Sequence, residues 1–560
     1  MSNLTPSMSP VAAPTLTVPG IFTHPMPVAD ALPVSMGPGS APKTGSGLVS
    51  EFPVTRAGTI GAGVNDTFYN RILIEPAALD LGNLLSTQAR SIVVWNGFLT
   101  QQSLSAMQTS GADGISISSP VTPPYTLRAL ELLTYVVNVT LDGPSTIDAA
   151  INWTIGGANY TATITGSRVV VWPFAPNWSN DFTESLEWKT DVLRAYAGSE
   201  QRRSLRTKPR RSFQYQARVL NGRDASRLES IIWGWQNRIF AMPVWSDKQQ
   251  LAAPVNAGDT AIAVTTSTYS FTPGSVGMLF VDSRNFEAIE ISDVSSGSLL
   301  LAHPLLGSWP AGTLLMPAVL AHLPTDVSSS RYTDTALDAS LQFATSPDNT
   351  DGYVPDAAAP TLYNGIEVIT QKPDWSSPIG NSFEFMFDTM DGGTGPLQWD
   401  ATETYPRLTR KYGWKFSNRN DILTFRQLLG RRRGKCVPAY IPSWHQDFVV
   451  TANIGATDMS IQVLDDDFAL MVGVKPERSV LALRLTDGTM YFRTITGVST
   501  PTPGYTQLSI DSKIGVEINV AQIDALYLMM LYRLATDLVE IVWKSTGVAT
   551  VETSFISIPA

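Results

Sequence analysis

Cysteine is nearly absent from this chain of 560 residues: Cys436 stands alone, so no intrachain disulfide can form. That predicts a protein made and assembled in a reducing cytoplasm. Histidine is almost as scarce. His24, His303, His322 and His445 show no metal-ligand spacing, and no Cys-x-x-Cys exists, which argues against a zinc site. Charged residues make up only 16% of the chain, fewer than a typical globular protein carries. The net charge of −10 argues against bulk binding of nucleic acid, whose phosphates need a basic surface, and no sequence-specific binding is expected. No run of about 18 apolar residues occurs, so no membrane-spanning helix is expected. The N-terminus lacks the basic stretch and apolar core of a secretory signal.

Catalytic signatures are missing too. There is no Gly-x-Ser-x-Gly elbow and no phosphate-binding Gly-x-x-x-x-Gly-Lys-[Ser/Thr] loop. GTIGAG, from Gly58 to Gly63, has the glycines of a dinucleotide site but no βαβ pattern around it. Asp465, Asp466 and Asp467 read as a solvated turn. His445 follows Trp444 with no evident partner and reads as a surface residue. No catalytic residue, cofactor or metal is expected, and the chain is read as non-enzymatic.

What fills the chain is Thr, Ser, Ala and Val, with 41 glycines and 38 prolines. That is the composition of strands and turns, so a mainly β, multi-domain protein is predicted. Residues 1–50, rich in Pro, Ser, Thr and Ala, cannot bury enough apolar surface to fold alone. They read as a disordered tail or as an extended arm on a neighbouring subunit. Residues 51–167 carry short β-branched runs such as SIVVWNGF, YVVNVTLDGP and SRVVVWPF. Their spacing predicts an immunoglobulin-like sandwich, with Asp142-Gly143 and Gly156-Gly157 at hairpin turns. The segment from Ala78 to Phe98 resembles the first strands of Ig-like modules of the bacterial-chaperone or flagellar-associated kind.

The remainder says nearly the same thing twice. Pro176, Trp178, Ser179, Ser185, Glu187 and Asp191 recur 197 residues later as Pro373, Trp375, Ser376, Ser382, Glu384 and Asp388. Gly198, Gln201, Thr207, Pro209, Arg210, Tyr215, Asn221 and Asp224 recur in the same frame. That is roughly fourteen identities in about fifty ungapped positions, against about three by chance. Copy A is placed at 168–346 and copy B at 366–558, joined by a linker at 347–365. Each copy splits into a β-domain with one helix (168–249, 366–448) and a small β-barrel or sandwich (250–346, 449–558). Each copy is large enough to hold its own core. The first helix is predicted over Gly222 to Arg238, capped by Asp224, with Leu228, Ile231, Ile232 and Trp235 on one face.

Charge is where the copies differ. Copy A carries Arg202, Arg203, Arg206 and Lys208 where copy B has Trp399, Asp400, Glu403 and Tyr405. Copy B has its own cluster, Arg431, Arg432, Arg433 and Lys435, in the loop GRRRGK (Gly430 to Lys435), where two extra residues enter. These clusters read as a solvated face, as the docking surface between unlike copies of neighbouring subunits or, less favoured given the acidic total, as a contact for nucleic acid passing through a lumen. Glu187 and Glu384, with Asp191 and Asp388, are retained in both copies and read as a polar face or as salt-bridge partners of Arg210 and Arg407.

Two blocks carry a resemblance. Leu186, Glu187, Trp188, Thr190, Asp191 and Val192 lead to Gly198, Glu200, Gln201, Arg202, Arg206, Pro209, Arg210 and Arg211. Arg433, Gly434, Tyr440, Pro442, Trp444 and Asp447 form the second block, which copy A matches only at Pro243, Trp245 and Asp247. Both are similar to blocks of structural tail proteins of tailed bacteriophages. The resemblance implies a virion component of the distal tail or baseplate, assembled in a bacterial host's cytoplasm as a ring, trimer or hexamer. Other tail proteins are the implied partners, with the host surface as a further one. A tail-borne receptor or carbohydrate binder is the alternative expectation, and a glycan hydrolase comes last.

Overall fold

The computed structural model describes residues 69–558, apart from 85–86, 141–142, 145, 196–197, 346–358, 377 and 402–404. The expected arm at 1–50, the GTIGAG segment and most of the expected linker lie outside the described residues. The chain is mainly β and divides into two units, one ending at Val169 and one beginning at Val170.

In the first unit, in chain order, come β1 (Ile72–Glu75), β2 (Ala78–Leu84), β3 (Gln88–Asn96), β4 (Gln102–Ser110), β5 (Ile115–Ser118), β6 (Tyr125–Leu127), β7 (Leu132–Val139), β8 (Thr146–Ile155) and β9 (Ala158–Val171). One antiparallel sheet has the order β1-β3-β7-β5. The other runs β2-β9-β8-β4-β6, antiparallel except for β2 against β9. Period-two alternation puts Tyr135, Val137 and Val139 of β7 and Ile151, Trp153 and Ile155 of β8 into one core. Tyr135 and Trp153 meet edge-on with ring centres 5.3 Å apart. Gly156 and Gly157, with φ of +60° and +84°, make the two-residue turn that sets Ile155 opposite Ala158.

Copy A, in the second unit, begins with β10 (Phe182–Glu187), β11 (Thr190–Arg194), β12 (Glu200–Ser204), β13 (Arg210–Val219), helix α1 (Gly222–Trp235) and β14 (Ile239–Pro243). It continues with β15 (Gln249–Gln250), β16 (Ala261–Ala263), β17 (Val276–Phe280), β18 (Phe286–Ser295), β19 (Ser298–Leu301), β20 (Leu314–His322), β21 (Ser328–Arg331) and β22 (Leu337–Thr345). A short hairpin, β23 (Leu362–Tyr363) and β24 (Ile366–Glu367), follows. The end of the expected linker is therefore structured: Tyr363 packs 5.9 Å from Phe492 and 6.1 Å from Tyr440, ring centre to ring centre.

Copy B begins with β25 (Gly380–Glu384), β26 (Phe387–Met390), β27 (Gln398–Ala401), β28 (Arg407–Phe416), helix α2 (Arg419–Arg432) and β29 (Ala439–Pro442). Then come β30 (Ser460–Leu464), the one-turn helix α3 (Phe468–Met471), β31 (Val480–Leu485), β32 (Met490–Thr502), β33 (Tyr505–Ile510), β34 (Ile523–Leu534), β35 (Leu538–Trp543) and β36 (Ala549–Ser557).

Strand pairing is the same in both copies. β13 lies between β10 and β22, as β28 lies between β25 and β36. β20 holds β14 and β17, as β34 holds β29 and β31. The helices start alike. Asn221 accepts from the amides of Arg223 and Asp224, and Asn418 accepts from that of Asn420. Asn221, not the expected Asp224, is thus the first cap, and α1 ends at Trp235 rather than Arg238.

The cores depart from one per copy. The smaller β parts keep separate ones, around Ile262, Leu279 and Leu299 in copy A and around Val463, Leu508 and Leu526 in copy B. The β-and-helix parts share a single core, in which Phe182, Trp188 and Phe213 are continuous with Phe425, Trp444 and Trp543. Strand β10 of copy A pairs antiparallel with β35 of copy B, Thr183 opposite Val542 and Glu187 opposite Leu538. The copies are thus one folded body joined by a strand pair and a common core.

Candidate functional site

The joint between the copies is where chemistry concentrates. Strand β10 alternates, with Phe182, Glu184 and Leu186 buried. Glu184 occupies an inward position where an apolar side chain is the rule, and a buried carboxylate is stable only when paired. Arg211 Nε of copy A donates to its Oε1 at 2.7 Å, and Arg426 of copy B donates to the same oxygen. The Trp543 indole donates to Oε2 at 3.1 Å. Burial pushes the Glu184 carboxyl up, but the two guanidiniums outweigh it and hold it below the ordinary carboxylate range.

Two further acids of copy A repeat the arrangement. Glu200, on the β11–β12 hairpin, accepts from Arg407 Nη1 at 2.6 Å and from Arg533 Nε and Nη2 at 2.7 and 2.9 Å. Burial acts to raise its pKa; hydrogen bonds from Arg533 and Arg407 prevail and bring it down to about 2. Asp247, buried in the turn after β14, accepts from Arg419 Nη2 at 2.7 Å and from the Ser270 amide at 3.1 Å. Burial again opposes ionisation, and Arg419 and Arg426 keep the group below its ordinary value. So three acids come from copy A and the four arginines that meet them across the joint from copy B. The contact is head-to-tail: unlike surfaces meet.

Asp537 of copy B pins the hairpin. Its carboxylate accepts from Thr190 N at 2.9 Å, Thr190 Oγ1 at 2.8 Å and Lys435 N at 2.9 Å, and its carbonyl accepts from Trp188 N at 2.9 Å. Gly434 lies against this point with φ of +66°. A Cβ there would sit 2.2 Å from Asp537 Oδ1 and 2.8 Å from Trp188 Cβ, so glycine is required twice over.

The clusters singled out in the sequence border the joint only in part, at Lys435 beside Asp537 and at Arg202 near Glu200. Arg206 reaches Glu187, at 3.4 Å to its carboxylate and 3.1 Å to its carbonyl, and Arg202 is half-buried near Glu200. Arg203 lies opposite Asp191 in the hairpin, and Arg203 and Lys208 are exposed. Arg431 and Arg432 are not in a loop: they end α2 and both donate to Glu367. Arg433 is the left-handed cap of that helix, and Lys435 Nζ lies 3.6 Å from Asp537. The retained acids also have other partners than expected. Glu187 pairs with Arg206 although Arg210 is its strand neighbour, and Arg407 pairs with Glu200 rather than Glu384. His445 is not solitary: Asp447 Oδ1 is 2.9 Å from its Nε2, and that hydrogen bond raises the imidazole pKa.

No protein-family model matches the chain, and no curated protein matches it significantly. Among the described residues no group of three or more His, Cys, Asp or Glu is placed to hold a metal ion. No described helix is long and apolar enough to cross a membrane. Glu184, Arg419, Arg426 and Arg533 escaped the sequence reading because they stand outside the conspicuous charge clusters and do not recur between the copies. Glu200 and Asp247 stood out only as members of the resembling blocks, with no role attached. One signal was available: in FTESLE a glutamate takes an inward position of an otherwise apolar alternation.

Proposed function

We propose that the chain is a non-enzymatic structural subunit of a bacteriophage tail, a component of a distal ring, hub or baseplate that works by assembling with copies of itself and with other tail proteins. The observation that carries this reading is the joint. Two similar units sit head-to-tail, locked by a strand pair and by buried ion pairs that recognise orientation rather than adding much net stability. A head-to-tail contact is the kind that builds rings. Three such chains would present six similar units, a match for a sixfold tail tube. The sequence blocks around Glu187 and Arg433 support the same reading.

A second reading has an observation of its own. Phe387, Met390, Leu397 and Trp399 are all exposed on and around the β26–β27 hairpin. A tail-borne receptor binder would present such a tip. Antibody labelling of phage particles carrying the chain, followed by a reconstruction of the labelled region, tests the proposal. Label at the distal tail, with three chains per ring, is expected. Six chains per ring with every unit equivalent would exclude the symmetry match. Binding of the isolated protein to host cells, without label on the tail ring, would favour the receptor reading.

A further inference from the structure

The joint inside the chain has an unused counterpart at each outer face of the second unit. Copy A contributes β10 to it, whose counterpart is β25 of copy B. Copy B contributes α2 and β35, whose counterparts are α1 and β21 of copy A. Among the described residues β25 pairs only with β28, and β21 only with β22. Both are therefore open edges. Their side chains are uncovered where those of the joint are buried: Phe383 is 68% exposed, whereas Leu186 at the matching position is 0% exposed.

A cavity of about 240 Å³ opens beside β25, lined by Phe383, Leu408, Arg410, Asp447, Arg478 and Met530 among others. In copy A the matching space is the socket filled by Arg426 and Arg419 of α2. The charges are exchanged between the two. In the socket of copy A the buried acid Glu184 meets helix residue Arg426. In copy B an arginine lines the cavity instead: Arg410, at the position of Phe213, is only 9% exposed. Among the described residues its Nε has no hydrogen-bond partner and its Nη1 reaches only the Tyr412 hydroxyl, at 3.5 Å; the Asp447 carboxylate in the same cavity acts on it electrostatically without a hydrogen bond. On α1 the position of Arg426 is taken by Glu229, which pairs at the surface with Arg331, the residue at the position of Trp543. Near the end of α1, Trp233 is 95% exposed.

We propose that α1 and β21 of one molecule dock onto β25 and its cavity in a second copy of this chain, repeating the internal joint between molecules. Carrying over the register of β10 on β35 sets Gly380 opposite Ser330, Asn381 opposite Ser329, Ser382 opposite Ser328 and Phe383 opposite Val327. Glu229 then enters the cavity and gives Arg410 a directly bonded carboxylate, since Asp447 accepts from the Ser443 hydroxyl and the Leu528 amide instead. Phe383 loses its exposure against Val327. The charge exchange also sets register, because the α1 glutamate suits only the copy B socket and the α2 arginine only that of copy A. Each molecule keeps one face of each kind, so association continues until a ring closes.

The proposal rests on the reading of the chain as a self-assembling subunit, and the test separates the two. Ser328→Cys and Ser382→Cys are combined in the full chain with Cys436→Ser, and the protein is oxidised. The matching pair in the joint, Ser185→Cys with Glu540→Cys, serves as the control and gives an intrachain bond. Chains linked through 328 and 382, in an assembly of defined mass, are expected. Glu229→Gln, at a half-buried position, removes the charge without setting a cation against Arg331 and is expected to weaken association about tenfold or more. Assembly of defined mass without the 328–382 bond overturns this pairing and leaves self-assembly standing. A disulfide joining two chains through position 382 of each overturns the head-to-tail arrangement. A chain that stays monomeric at every concentration, its two faces left to other proteins, overturns both.

Discussion

Helices α1 and α2 have the same length, the same Asn cap and matching places in the two copies, yet they end in different surroundings. α2 buries Ile422, Phe425, Arg426, Leu428, Leu429 and Arg432, whereas α1 buries only Ala225 and Leu228. Each packs one face on its own sheet. Only α2 has a second neighbour, because copy A covers its outer side. The contrast shows that a repeated element is given its burial by what lies against it. It also shows how a duplicated unit diverges: charge moved while the apolar alternation stayed. β13 and β28 bury alternate residues alike, but the inward arginine is Arg211 in one and Arg410, two positions further on, in the other.

Breaking the joint at its centre is the severest way to test that contrast. Glu184→Ala leaves Arg211 and Arg426 buried without their carboxylate and is expected to cost about 3–5 kcal/mol in denaturant unfolding. At the exposed counterpart, Asn381→Ala is expected to change the isolated chain's stability by less than about 0.5 kcal/mol. Equal losses at the two positions would remove the distinction between a filled and an open socket.

Acid titration sharpens the comparison next. The Glu200 carboxyl lies at about 2 in the folded chain, against 4.5 for an unperturbed glutamate. A depressed folded value means stability that is fully present above about pH 4.5 and lost as pH falls through 2. The pair of values corresponds to roughly 3 kcal/mol. Unfolding curves between pH 5 and 2 are expected to converge for the parent chain and Glu200→Gln, with the parent more stable at neutral pH.

Backbone comes third. Gly434→Ala meets both a positive φ and the Asp537 contact and is expected to lose about 2–3 kcal/mol. Gly393, also at positive φ (+72°) but with nothing within 4 Å of a Cβ, is expected to lose only about 1 kcal/mol on the same change. Thermal melts compare the two directly. The smallest expected difference lies at the caps: Asn221→Ala and Asn418→Ala should each cost about 1 kcal/mol, because that part of the two copies is alike. A clear inequality there would mean that the joint reaches as far as the helix starts.

Much of the architecture was legible because it depends on local periodicity. The strands of the first unit, the Gly156-Gly157 turn and the matching helices follow from alternation, turn chemistry and an apolar stripe. The duplication located the two copies without any contact being known. The charged clusters did not point to the joint, since a run of arginines is conspicuous whether it meets solvent or protein. Arg431 and Arg432 turned out to serve Glu367 within their own copy, and the joint was built from scattered single residues instead.

The sequence by itself determined that this chain is β-rich, that it contains one unit twice, and where charge divides the copies. Those properties are written in composition, in spacing and in the 197-residue echo. Which charges matter was decided only in three dimensions. Glu184 meets Trp543, and Glu200 meets Arg533, across more than 300 residues of chain. No periodicity links such positions. They are brought together by the shared core and by β10 lying on β35, and burial there turns ordinary ion pairs into groups that need one another.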